Sequence, residues 1–141
     1  MRVLHFLNLN VFLLFIISCS PLESDKQIAI IEDAYMNLPL EGQLISAGYF
    51  KFFNNSEDDI KITGVYCEDL NITMHKSFID KVGIMKMEKI TLVQVKSNTK
   101  HFFEPGHDHL MVRGLTQDSS GVIKCNILLD DYSIATNFSI K

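Results

Sequence analysis

Helical periodicity is missing from this 141-residue sequence beyond its first residues, so neither a helical bundle nor an α/β layer has a pattern to build on. No run of lysines and arginines occurs, and the formal charge is −4. A nucleic-acid surface needs the opposite sign gathered on one face, so none is expected. The three cysteines form no C-x-x-C pair, which argues against a thioredoxin-like redox site. No serine, histidine and acid fall into a hydrolase arrangement, and no enzyme is expected. The one long apolar run, Val11 to Ile17, is shorter than the ~20 residues a membrane span requires.

What is present at the start is a secretory pattern. Arg2 supplies a basic opening, the apolar run follows, and small residues close it. Residues 1–18 therefore read as a signal peptide. Ile16-Ile17-Ser18-Cys19 resembles the lipobox of bacterial lipoproteins, in which the cysteine is acylated and becomes the new N-terminus. A diacylglycerol plus an amide-linked chain supplies the two lipid signals that stable anchoring needs. On this reading Cys19 is lipidated, residues 19–27 form a tether, and residues 28–141 form one periplasmic domain held at a membrane. Ser20, rather than an aspartate, follows the cysteine, which points to the outer membrane. The competing reading is ordinary cleavage near Ser20, which would release a soluble periplasmic protein.

Cys67 and Cys125 remain in the body of the chain. Outside the cytosol such a pair forms a disulfide or stays as two buried thiols, and spacing alone leaves both open. The rest reads as short strands separated by turns. Expected strands cover Ile28 to Asp33, Ala47 to Phe53, Ile60 to Val65 and Asn71 to His75. A hairpin around Asp80 to Gly83 returns the chain through Ile84 to Lys89. Thr91 to Val95, Lys100 to Phe103, Leu110 to Leu115, Val122 to Leu129 and Ser133 to Ile140 complete the set. Many short strands at such spacing predict an all-β antiparallel sandwich or barrel.

Histidine and methionine are concentrated between Met74 and Met111. His75, His101, His107 and His109 fall there, with Met74, Met85, Met87 and Met111. Imidazole with thioether is a donor set for a soft cation, copper(I) above all. Thioether sulfur carries no proton, so only the imidazoles must be neutral for binding. Alternate residues of a strand share a face, so an extended segment would turn His107, His109 and Met111 the same way, and likewise Met85 and Met87. Met74 would point away from His75 and pack in the core. His101 reads as a strand surface residue.

At these residues the chain resembles the periplasmic copper chaperones of the PCu(A)C type. The signature of that family is a histidine, an optional methionine, ten residues, a methionine, twenty-one residues and His-x-Met. Here it reads His75, Lys76 in the optional slot, then Met87, then His109-Leu110-Met111 at the same intervals. Gly83-Ile84-Met85-Lys86-Met87, Pro105-Gly106 and Gly114-Leu115 are also similar to the family's wording, and Ala47-Gly48-Tyr49-Phe50 to Gly64-Val65 is similar to its first core hairpin. The resemblance implies a cupredoxin-like fold, one copper(I) held by His75, Met87, His109 and Met111, and delivery to a haem–copper oxidase subunit, often beside a Sco-type protein. It also implies a monomer. Lys76 departs from the pattern by removing a spare sulfur. His107 stands where a non-ligand residue is expected and reads first as an exposed turn histidine; the other reading is an added imidazole that would help the site accept copper(II). Met85 faces the right way to pack against or shield the site, or to serve as an auxiliary donor. The alternative is an interaction module, a lipoprotein of the same β-sandwich fold that binds no metal. A blue-copper centre is disfavoured because neither Cys67 nor Cys125 has a histidine nearby in the required pattern. Zinc is disfavoured by the two thioethers.

Overall fold

A computed structural model describes residues 27–141. The expected signal peptide, Cys19 and all but the last residue of the tether lie outside the described residues. Ten strands follow in chain order: β1 (Ala29–Met36), β2 (Ile45–Asn54), β3 (Ile60–Cys67), β4 (Asn71–Ile79), β5 (Met85–Ile90), β6 (Val93–Val95), β7 (Lys100–Phe103), β8 (Asp108–Arg113), β9 (Val122–Leu129) and β10 (Ser133–Ile140). No helix occurs among the described residues. The all-β expectation is met, and each expected strand has a counterpart.

The strands form one sheet in the order β5-β4-β8-β7-β2-β1-β10-β9-β3-β6, with β2 also pairing β8. All pairings are antiparallel except β1 with β10 and β7 with β8. The sheet curls on itself, bringing β3 beside β4, and its inner face makes the core. Period-two alternation explains the inside of β2, where Gly48, Phe50, Phe52 and Asn54 are buried in turn. Phe50 stacks on Phe103 at 4.2 Å and meets Phe138 edge-on at 5.9 Å. Each such ring contributes about 1.5–3 kcal/mol through burial. Gly48 is small by necessity, since a Cβ there would come within 3.2 Å of Met36 Cγ. Asn54 is buried yet satisfied, donating to the carbonyls of Asp58 and Val95 and accepting from Ser56.

Three local features differ from the sequence expectation. β1 does not stop at Asp33 but continues to Met36, because a bulge with Asp33 at φ 51° shifts its register against β2. β4 runs past His75 to Ile79. β8 begins at Asp108, so His109 lies inside the strand rather than ahead of it. Cys67 and Cys125 face each other across β3 and β9, with Cα atoms 4.3 Å apart, and are joined as a disulfide.

Candidate metal centre

The candidate ligands sit on the outer face of the sheet, opposite the core. On β4 and β8 the inward side chains are Met74, Leu110 and Val112, all buried. Their sequence neighbours His75, His109 and Met111 therefore turn outward. Antiparallel register then sets His75 directly across from His109, and Thr73 directly across from Met111. Directly opposed residues share a face and lie close. Met87 arrives from the edge strand β5, opposite Ser77, while Lys89 opposes His75. Met87 thus reaches the histidine pair along a diagonal, not straight across the hairpin.

The two imidazoles are 6.1 Å apart between ring centres and tilted by 31°. Metal–nitrogen bonds near 2.0 Å place two rings on one ion at about 5–6 Å between centres. The observed separation lies just beyond that span, so the rings would turn slightly inward to share an ion. His109 is 6 % exposed, and its Nδ1 donates to the His107 carbonyl at 2.9 Å. That bond fixes the tautomer and leaves Nε2 as the donor atom for an ion. His75 is half-buried, with Nε2 hydrogen-bonded to Thr73 Oγ1 at 3.0 Å, which leaves Nδ1 to offer. Burial lowers the His75 pKa from the ordinary value of 6.5, and His109 and Lys89 lower it further. Its ligand-competent neutral form is therefore favoured.

Met87, His109 and Met111 open into a cleft of about 490 Å³. The other wall comes from the β1–β2 connection and the start of β2, through Leu38, Leu40, Ile45 and Ala47. This connection is held in place by backbone bonds from Asn37 N to Ala47 O and from Leu38 N to Lys141 O, at 2.9 and 2.8 Å. The Gln117 side chain also donates to the Pro39 carbonyl. An apolar wall beside thioether and imidazole suits a soft, weakly hydrated ion. His75 does not line the cleft; it stands across from His109 on β4.

The remaining histidines and methionines are placed elsewhere. Met74 is buried in the core. Met85 is exposed, pairs with Ile79 and shares the outer face with Met87 one step further out. His107 does not continue the strand: it ends the β7–β8 turn, and its ring lies 3.9 Å from Glu104 in a separate recess. Its backbone still serves the site by receiving the His109 Nδ1–H. His101 is more than a surface residue, since it pairs with Asp108 at 2.9 Å and packs edge-on against Phe103. Thr73 was not singled out from the sequence. Its signal was available, because it stands two residues before His75 and so shares its face. The covering residues Leu38 and Leu40 carried no signal, coming from a distant part of the chain.

Among the described residues, no group of three or more histidine, cysteine, aspartate or glutamate side chains could hold a metal ion. The donors that remain around the cleft are the His109 imidazole with the thioethers of Met87 and Met111, and His75 across from His109. Such a set would suit a soft ion better than zinc, calcium or magnesium.

No curated protein matches the sequence. Among solved structures, the copper-bound PCuAC domain from PmoF2 superposes with a TM-score of 0.65 at 13 % identity, covering 82 % of this chain and 93 % of that one. The apo PCuAC domain from PmoF1 gives 0.67 at 14 % identity, covering 83 % and 96 %. These likenesses establish the fold. The family described as "Putative lipoprotein LpqE-like" matches residues 30–124. The chain belongs to this LpqE-like family and folds as an all-β domain of the PCuAC type.

Proposed function

We propose that this protein is an extracytoplasmic copper(I) carrier, anchored to a membrane through Cys19 and not an enzyme. The observation that carries the reading is the His75–His109 pair facing across β4 and β8, beside a cleft that His109 shares with the thioethers of Met87 and Met111. Copper is the cargo. His109 Nε2, His75 Nδ1 and the sulfurs of Met87 and Met111 would hold it without any thiolate, so binding does not depend on a reduced cysteine. That matters in a compartment where Cys67 and Cys125 are oxidised to a disulfide. The same fold carries copper in the PCuAC domain from PmoF2, and the family description supports a lipoprotein.

Release follows from where the donors sit. Met87 stands on an edge strand and is 53 % exposed, whereas His109 is almost covered. An acceptor can displace the Met87 sulfur first and the buried imidazole last, without opening the core. The recipient fitting this chemistry is a copper-accepting subunit of a haem–copper oxidase, with a Sco-type protein as intermediary. His107 is turned into another recess and Met85 is further out, so neither belongs to the proposed shell.

The test is a copper(I) competition titration against a chromophoric chelator. One tight equivalent is expected for the native chain, with at least about tenfold weaker binding in Met87→Ala and near loss in a His109→Ala, Met111→Ala double variant. Binding unaffected by either change, or none above background, would leave an interaction module that keeps the family fold without the metal.

A further inference from the structure

The β4–β5 hairpin tip projects three exposed aliphatic side chains. Val82 is 77 % exposed, Ile79 67 % and Ile84 58 %, beyond any role in the copper cleft. Large side chains are seldom left in water together without a partner. The tip is also built to present them. Asp80 is folded back, its Oδ1 accepting from Val82 N and Ile84 N at 3.0 and 2.9 Å, and its Oδ2 paired with Lys86 at 2.9 Å. Gly83 takes φ 83°, which closes the turn. The one acidic side chain of the tip is therefore consumed internally, and Lys81 has no ion pair among the described residues. Exposed aliphatic residues beside a lysine fit an apolar layer beneath a negative surface.

The chain's point of entry selects which apolar layer. Along β4, β8 and β2, Asn71 aligns with Arg113 and Ile45, so the far end of β4 aligns with the far end of β2. Ala29, the start of β1, pairs with Asn54 at that same end. The segment from Cys19 therefore joins the domain at the end of the sheet from which the hairpin projects. Even fully extended, the eight steps from Cys19 to Gln27 reach no more than about 28 Å.

We propose that the tip formed by Ile79, Val82 and Ile84 inserts into an anionic phospholipid surface, with Lys81 at the headgroups. Together with the lipid on Cys19 it makes a second contact that seats the domain on that end of its sheet, the end nearer Met87. The tether half of this rests on the lipoprotein reading above; the insertion of the tip does not.

The chain contains no tryptophan, so single replacements give clean reporters. Val82→Trp marks the tip. Val122→Trp is the control, because Val122 is 60 % exposed and pairs with Ser139 at the opposite end of the sheet. The full chain is isolated from membranes, weighed to establish whether Cys19 is acylated, and placed with phosphatidylserine-containing vesicles carrying brominated acyl chains. A tip seated about 5–10 Å into the acyl boundary should give a blue-shifted Val82→Trp emission quenched roughly twofold, with Val122→Trp unchanged. Replacing phosphatidylserine by phosphatidylcholine, or adding Lys81→Glu, should weaken the quenching. A water-like, unquenched Val82→Trp on vesicle-bound chain overturns the proposal. So does a blue shift that appears only when an acceptor protein is added, which would make the tip a protein contact. An unacylated Cys19 with a quenched tip would overturn the anchor and keep the insertion.

Discussion

β9 and β3 are stapled by Cys67–Cys125 and bury Cys67, Cys125, Ile62, Val65, Ile127 and Leu129. At the other end of the strand order, β5 has no fully buried residue, and only Ile90 is partly covered. One region holds the fold and the other offers donors to solvent. Between them β4 and β8 do both, with Met74, Leu110 and Val112 inward and His75, His109 and Met111 outward. Stability and the proposed cargo site therefore rest on opposite faces of the same strands. A carrier built this way can exchange a ligand at its edge while its core stays shut, and the two functions should be separable by mutation.

The largest effect is expected at the stapled end. Replacing Cys67 and Cys125 together by alanine frees a loop with a sequence separation of 58, for which chain entropy predicts a loss of about 4 kcal/mol. At this chain length that lowers Tm by roughly 10–20 °C. Copper(I) affinity of the still-folded variant should stay within a factor of about two, since neither sulfur approaches the cleft. A large fall in affinity at a temperature where circular dichroism shows an intact sheet would couple the two regions after all.

Next come adjacent residues of β8 facing opposite ways. Leu110→Ala removes a fully buried side chain and should cost about 2–5 kcal/mol by urea unfolding, with copper binding retained in the folded fraction. His109→Ala loses one hydrogen bond to the His107 carbonyl, worth about 1 kcal/mol, yet should weaken copper(I) binding beyond tenfold. Equal losses of stability and affinity in both variants would erase the distinction between the faces.

The division was largely visible in the sequence. Alternation along β2 and β9 marks the core side because each strand has one dry face, and period two leaves little freedom once that face is chosen. The same alternation placed Met74 opposite His75. What escaped was set by contacts between distant segments. Nothing local distinguishes Asp33 as a bulge residue, since a positive φ at a non-glycine is imposed by its neighbours. His107 is a turn residue, as Pro105 and Gly106 suggest, whereas the strand after it starts two residues earlier than its apolar run, at Asp108. The diagonal placement of Met87 depends on the length of the Asp80–Gly83 turn, where one residue changes every pairing. The disulfide was undecidable until β3 and β9 were known to be neighbours.

A smaller effect should appear at Thr73, which is hydrogen-bonded to His75 and stands across from Met111. Thr73→Val keeps the shape and the β-branching but removes the hydroxyl at 3.0 Å from Nε2. The ring then loses the contact that fixes its orientation. Copper(I) affinity should fall by roughly threefold to tenfold, with stability changed by no more than about 1 kcal/mol. Thr73→Ser, which restores a hydroxyl, should recover most of the affinity. Equal weakening in both variants would show that the methyl packing matters and the hydrogen bond does not.

The smallest effect is a pH dependence at His75, and its sign is fixed by burial. Desolvation, then the neighbouring His109 and Lys89, hold its folded-state pKa below 6.5. The unfolded chain therefore binds a proton at His75 before the folded chain does as pH falls. Stability from this residue is intact above about pH 6.5 and declines in the interval just below it, down to the folded pKa. Copper(I) loading, which needs the neutral ring, should for the same reason resist mild acid. An NMR titration of the copper-free protein should place the His75 midpoint below 6.5, and His75→Gln should flatten the fall in stability across that interval. A midpoint at or above 6.5 would mean that the ring stands in water, which would remove the covered half of the contrast between His109 with His75 and the exposed donor Met87.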